Sequence, residues 1–427
     1  MNKTLLKAII TSIMVFALLI PTSFIQSLIR EREAREREVF TEVSNKWSGP
    51  QTITTPYLLI PYLMVEKNAS GKDISIEKQL IFFPDNLLVN TNLIPEFRPR
   101  SIYKVLLYRS FSSVKGDFNL KLPDGITASM LLLKKASFCL GIDDFKGIEK
   151  KISVQLNNNS LELSPGLPDS ILNDNGLSTP IDLNENNLFS RINFSTNISL
   201  KGSEHLRFTP FAGNSKFEMN STWTSPAFDG NNLPDERILN NNGFKAKWVY
   251  NKTNLPFGTV LNNKKINSKS LSFGVNMVNP TNHYAKTMRC AKYAILFIGL
   301  TFALFFIIEI MQEKPMHPVQ FGLIGFALVI FFTLLLSIGE FIFFDYAYCV
   351  SASATILLIS LYAQSHFKKW STAGLFALII AIQYVFIFVL IRLEDTALLL
   401  GSIGLFVILA LIMFATRKLN WYDNSLK

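Results

Sequence analysis

The chain reads as a membrane protein: six transmembrane α-helices, one N-terminal and five C-terminal, with a large, mainly antiparallel β domain outside the cytoplasm. Three observations predict this. Apolar runs of membrane-spanning length crowd the two ends of the 427 residues. The stretch between them is polar, rich in Asn and alternates at period two. The short segments between the C-terminal runs are basic on alternate sides. A mean hydropathy of +0.26 and 49% hydrophobic residues exceed what a soluble chain of this length usually carries.

Residues 1–29 are the first expected span. Lys3 and Lys7 precede an apolar run from Ala8 to Ile29. No small-x-small cleavage site follows, and the run is longer than a signal-peptide core, so an uncleaved signal-anchor is expected. Pro21 should kink it, which transmembrane helices tolerate when neighbours satisfy the freed carbonyl. Residues 30–48 then read as a charged helical stalk. Glu31 with Arg35 and Glu33 with Arg37 are i,i+4 pairs in the favourable order. Such a face suits solvent better than a headgroup or partner contact. Gly49-Pro50 ends it.

Residues 49–288 form the expected periplasmic β domain. Period-two alternation recurs in Phe118-x-Leu120-x-Leu122, Ala136 to Ile142, Ile152 to Leu156, Phe217 to Trp223, Phe244 to Tyr250 and Leu271 to Met277. Asn, Gly, Pro and Ser clusters such as 157–160 and 240–243 supply turns between them. Many short strands with few helical patterns predict a sandwich or barrel.

Residues 289–418 are the expected five-helix bundle, and 419–427 a cytoplasmic tail. At about 20 residues per crossing, the runs are Tyr293–Ile310, Val319–Ile338, one ending at Tyr362, Ala373–Ile391 and Ala397–Thr416. Short loops obey the positive-inside rule. With the N-terminus inside, the inside segments carry Lys3 and Lys7, then Lys314, then Lys368 and Lys369, then Arg417 and Lys418. The outside loops carry Glu340 and Asp345, then Arg392 with Glu394 and Asp395. Both termini are therefore expected in the cytoplasm. Pro318 suits a first helical position, Ser371 a cap, and Trp370, Trp421 and Tyr422 interfacial anchoring.

The formal charge of +10 is spread out, and no basic, aromatic-interleaved module speaks for nucleic acid. Three cysteines, Cys139, Cys290 and Cys349, show no metal or redox spacing. The four histidines are scattered, and nucleophile-elbow, phosphate-loop and dinucleotide motifs are missing. The sequence thus points to no catalytic residue, no cofactor and no metal. Ionisable residues near membrane depth are the functional candidates: Glu309, Glu340, Arg392, Glu394 and Asp395, with His317 close to Glu309. The plainer reading pairs Arg392 with Glu394 or Asp395 and leaves the others as helix caps. Trp223, Pro226 and Phe228 form an aromatic patch, either a binding surface or the closed end of a β core.

These residues resemble the CreD family of bacterial inner-membrane proteins, associated with cell envelope integrity. The likeness covers nearly the whole chain. It is strongest over Ala291-Lys292-Tyr293-Ala294-Ile295-Leu296-Phe297, then Leu300-Thr301-Phe302, Glu309, His317-Pro318-Val319-Gln320 and Ser360-Leu361-Tyr362. Leu393-Glu394-Asp395, residues 397–402 and Trp421-Tyr422 continue it. In the middle it rests on Pro61-Tyr62, Gly202-Ser203, Trp223 with Pro226, Phe228 and Gly230, and Gly243-Phe244 with Ala246 and Trp248. Thr55 stands where a Gly-Pro pair is expected, and Ser101 where Arg-Gly-Ile is; both positions read as turns. The resemblance implies the same topology, an inner-membrane location and an envelope role tied to a two-component response, with no established reaction.

The expected function is therefore a non-enzymatic inner-membrane protein serving envelope integrity or the envelope-stress response. The alternatives are a transporter or channel component using Glu340, Arg392, Glu394 and Asp395, and a membrane-bound enzyme acting on lipid or glycan. The lipid bilayer is the expected partner, with envelope lipids, glycans or other membrane proteins as candidates. The oligomeric state stays open.

Overall fold

The computed structural model describes residues 3–67, 73–185, 188–262, 266–277, 283–312, 314–393 and 396–417. Two compact units emerge: Met1–Arg37 with Thr281–Lys427, and Glu38–Pro280. One helix, α1 (Lys3–Trp47), contributes to both and runs unbroken through Pro21. Around Pro21 the hydroxyls of Thr22 and Ser23 donate to the carbonyls of Leu18 and Ile20. Gly49-Pro50 follows its end, as a glycine and proline past the last turn should.

The β unit holds β1 (Gln51–Lys67), β2 (Asp73–Phe82), β3 (Asn86–Arg100), β4 (Tyr103–Phe118), β5 (Ser137–Ile142), β6 (Ser153–Leu156), β7 (Asn159–Glu162) and β8 (Ser164–Pro165). It continues with β9 (Gly176–Pro180), β10 (Ile192–Ser203), β11 (His205–Thr209), β12 (Asn214–Ser221), β13 (Pro226–Gly230), β14 (Glu236–Asn240), β15 (Gly243–Tyr250), β16 (Val260–Asn262) and β17 (Phe273–Met277). The first sheet runs β13-β17-β11-β1-β5-β9-β8, with β2 beside β1 and β16 beside β2. The second runs β14-β15-β12-β3-β4-β10-β6-β7.

Most strand pairs are antiparallel, as expected of a mainly antiparallel domain, but near the centre of each sheet one pair is parallel. β11 lies parallel to β1, with Gln51 opposite Leu206. β12 lies parallel to β3, with Asn86 opposite Asn214. Both sheets are mixed. Alternation in a sequence reports which face a side chain takes, not which strand lies next door, so a parallel junction between distant segments leaves no local mark.

The two sheets enclose one core. Leu58 and Ile60 of β1, Val89 and Leu93 of β3, Phe138 and Leu140 of β5 and Phe217 and Met219 of β12 are all buried in it. Trp248 packs 5.2 Å from Phe273 across the layers. A second, smaller cluster of Tyr57, Leu59, Ile81, Phe83, Cys139, Leu172, Phe211 and Leu261 covers the opposite face of the first sheet. Pro56 sits where the β1–β5 register shifts, between Thr54 and Tyr57, as expected of a residue with no N–H for the ladder. Thr55 is thus no turn: it is buried in this bulged strand, and its hydroxyl donates to the Phe211 carbonyl at 3.1 Å. Ser101 does turn the chain from β3 to β4, with φ of +57°, a conformation that costs any residue with a Cβ.

In the other unit follow α2 (His283–Lys292), α3 (Ala294–Gln312), α4 (Pro318–Gly339), α5 (Phe344–Phe367), α6 (Trp370–Arg392) and α7 (Ala397–Thr416). Among the described residues four helices are long and apolar enough to cross a membrane: α1, α4, α5 and α6. A fifth span is made if α2 and α3, bent by 45° at their junction, count as one. The expected sixth is not established, because the apolar stretch of α7, Leu399–Phe414, is shorter than these. Pro318 opens α4 as expected, whereas Ser371 lies inside α6 and Lys369 takes the cap position. Trp421 and Tyr422 lie outside the described residues.

Candidate functional site

Among the described residues, Glu309, Glu340 and Asp345 of the bundle unit come to rest against cations. Glu309, near the end of α3 and 6% exposed, pairs with Lys7 of α1. The same carboxyl oxygen accepts the Met316 N–H at 3.0 Å, while its other oxygen is buried with no partner among the described residues. A buried carboxylate needs both a counter-charge and hydrogen bonds; the α1 lysine and the loop before α4 supply them. His317 does not join it. Its ring Nδ1 accepts the Val319 N–H at 3.3 Å, and the His317 backbone N–H donates to the Gln320 side-chain oxygen at 2.8 Å, forming a capping box at the start of α4.

Glu340 caps the other end of α4. It accepts the Tyr284 hydroxyl at 3.2 Å and lies 3.8 Å from the Arg32 guanidinium. Arg392, in the last turn of α6, pairs with Asp345 in the first turn of α5 and stacks 4.9 Å over Phe388. Arg392 and Asp345 oppose the dipoles of their helix ends, whereas Glu340 stands at the negative end of α4 and is offset by Arg32. Glu394 and Asp395 lie outside the described residues. Glu340 and Arg392 therefore take different partners and form no single polar cluster among the described residues.

α1 fits the bundle by shape as well. A Cβ on Gly325 of α4 would stand 2.1 Å from a Leu18 methyl, and one on Gly322 3.3 Å from Met14. Small residues at such crossings let helices approach closely in lipid, where hydrophobic association is weak. Gln383, buried within α6, receives the Thr301 hydroxyl at 3.4 Å and donates to the Phe297 carbonyl at 3.0 Å, tying α6 to α3.

In the β unit the aromatic patch belongs to the core margin. Trp223 and Phe228 are partly buried against the main core. The Trp223 indole donates to the Ser225 carbonyl at 2.9 Å. Phe228 meets Phe244 and Trp248 edge-on at 5.7 and 6.0 Å. Pro226 opens β13, an edge strand, where a missing N–H does least harm.

The end of α1 forms a denser joint within the same unit. Arg98 and Lys201 each stand 4.7 Å from the centre of the Trp47 ring, and Arg109 5.5 Å. Glu96 and Glu149 each lie 3.0 Å from Arg109. Beside them Asp144 accepts the Gly49 N–H at 2.9 Å and the Ser48 hydroxyl at 3.1 Å, while Gln51 donates to the Asp144 carbonyl at 2.8 Å. Desolvation pushes the Asp144 carboxyl up, but the N–H groups of Gly49 and Lys146, the Ser48 hydroxyl and the Lys146 charge together hold it below the usual range. Among the described residues no group of His, Cys, Asp and Glu side chains is arranged to hold a metal.

These features agree with the comparisons to known proteins. The profile of a family described as inner membrane protein CreD matches residues 3–422. A protein of Escherichia coli strain K12 named inner membrane protein CreD is 31% identical over 422 residues, covering 96% of this chain and 92% of its own length. The chain belongs to the CreD family. The match runs through both units.

Within this CreD protein, sequence reasoning found the acids but not their partners. Lys7 is separated from Glu309 by the whole β unit, and Arg32 likewise from Glu340. The Trp47 joint collects cations from β3, β4 and β10 that share no local pattern. Gln383 was passed over because it carries no charge, yet a buried amide inside an apolar helix is itself a polar signal.

Proposed function

We propose that this chain is a non-enzymatic inner-membrane protein that serves cell envelope integrity through its β unit. In this reading α7 completes six spans, both termini lie in the cytoplasm, and residues 30–288 lie in the periplasm. The basic residues Lys7, Lys314, Lys368, Lys369 and Arg417 then fall on one side. The observation that carries the reading is how the bundle spends its charges. Lys7 with Glu309, Arg32 with Glu340, and Asp345 with Arg392 pair one helix with another, as in a scaffold whose charges hold helices together. The transporter reading needs the same residues unpaired and gathered along one path.

The test is a deletion strain challenged with detergent, bile salt and antimicrobial peptide. Loss of survival, restored by the intact gene but not by one encoding Trp47→Ala, is expected. A deletion strain that survives every challenge as the parent does would end the proposal. Orientation is tested separately, by labelling a cysteine placed at Asn241 with an impermeant reagent; labelling only from the cytoplasmic side would reverse the topology.

A further inference from the structure

We propose that the solvent face of the second sheet is a binding platform for an acidic polysaccharide. The strand register lays three rows of side chains across this face. In the first, Ser195, Lys115, Leu88, Lys216 and Val249 stand side by side on β10, β4, β3, β12 and β15. Two residues along, Asn197, Ser113 and Asn90 line up, followed by Glu218 and Lys247. Two further, Phe111, Asn92 and Asn220 do so, followed by Lys245. The register makes one continuous surface from strands that are far apart in sequence.

Its chemistry is selective. A side-chain amide both donates and accepts, so an array of Asn and Ser presents the mixed polarity that sugar hydroxyls require. Asn220 donates to Asn92 at 3.4 Å, which leaves the Asn92 amide N–H groups and the Asn220 carbonyl turned to solvent. Leu88, Val249 and Phe111 are 37%, 38% and 39% exposed; scattered between amides, they match the C–H faces of sugar rings and form no continuous apolar patch for a protein. The first row borders a cleft of about 460 Å³ lined by Asn86, Asp117, Asn214 and Asn251 as well as Lys115 and Lys216.

Charge selects the class of sugar. Asp117 is buried and spent on Arg191 at 2.9 Å and Asn86 at 3.1 Å. Glu218 is matched by Lys216, and Glu236 by Lys247. Asp235 also sits at this edge, accepting the Val249 N–H at 2.7 Å. Lys115 and Lys245 make no ion pair among the described residues, and Lys115, Lys216, Lys245 and Lys247 outnumber Glu218, Asp235 and Glu236, so the face keeps a small positive excess that an anionic chain would neutralise. The assignment rests on the envelope reading only for where such a polymer would be met; the binding itself is measurable without it.

The probe is polygalacturonate, with neutral dextran as control, titrated against the full chain in phosphatidylcholine nanodiscs. Polygalacturonate should bind at least tenfold more tightly than dextran and weaken as salt rises. Lys115→Glu with Lys216→Gln should cost tenfold or more, and Asn90→Ala with Asn197→Ala about fivefold with the salt dependence unchanged. Lys269→Glu, an exposed change on the other sheet's cover, should do nothing. Equal binding of dextran, or wild-type binding by the lysine variant, overturns the proposal. So does polyglutamate that binds as tightly and ignores the Asn variant, for that is polyanion attraction alone. A deletion strain without an envelope defect would leave this binding result standing.

Discussion

The two sheets of the β unit differ in what covers them. In the first, β1 is buried at every position from Gln51 to Tyr62, because the main core lies on one face and the Tyr57–Phe211 cluster on the other. Phe211 stacks 4.9 Å from Phe83 and meets Phe257 at 5.1 Å, closing that second face. In the second sheet β3 alternates exposed and buried from Asn86 to Ile94, because only one face is dry. A strand wet on one side advertises itself by alternation; one buried on both sides is a continuous apolar run. The same division separates structural strands from strands with a face free to meet a ligand.

The sharpest way to break this contrast is to open the cover of the first sheet. Phe211→Ala should destabilise the β unit by about 3–5 kcal/mol, as for a fully buried aromatic, read by urea denaturation followed through tryptophan fluorescence. Cys139 reports the same layer without perturbing it. Burial pushes its thiol up to about 12, and the thiolate is the reactive form. In a chain with Cys290→Ala and Cys349→Ala, Cys139 should therefore resist maleimide in the folded state and react once Phe211→Ala is added. Labelling of Cys139 in the otherwise intact chain would show that the cover is not closed.

Acid probes the margin of the first sheet. Burial first, and then the Arg207 charge, lower His205 on β11 from 6.5 to about 4, with Asp229 opposing. The unfolded chain takes up this proton before the folded one. The stability tied to neutral His205 is therefore fully present above about pH 6.5 and is lost as the pH falls towards 4. Because the ring is partly exposed, solvent screening limits the loss to about 1 kcal/mol. His205→Gln should flatten that slope. The smallest effect belongs to the second sheet: Phe111→Ala, on its wet face, should change stability by at most about 0.5 kcal/mol. A cost approaching that of Phe211→Ala would mean the face is covered after all.

The same physics decided what could be read from the chain. Phe217 to Ser221 and Phe244 to Tyr250 alternate in sequence and are buried on one face in the fold. Ala136 to Ile142 alternates although β5 is buried on both faces, because small residues, Ser137, Cys139 and Gly141, take its second face. β1 escaped because Thr52 to Tyr62 is apolar or β-branched without a period. The helices of the bundle unit were legible because a lipid-facing helix is apolar all round. Gly325 under Leu18 was not, because a notch is recognised only with its occupant. Of the candidate site, the ionisable residues stood out by chemistry, while Lys7, Arg32 and the cations on Trp47 became partners only through contacts far apart in the chain.

The parallel junctions set the order in which this chain can fold. The start of β1 finds its neighbour β11 only at Leu206 to Thr209, and β3 finds β12 only at Asn214 to Ser221. Until a nascent chain has been made that far, the middle strand of each sheet holds an open hydrogen-bonding edge. Long-range pairing of this kind slows folding and leaves intermediates prone to stick together. The short link from Thr209 to Asn214 delivers both missing neighbours almost at once, so the two sheets should close in a single late step.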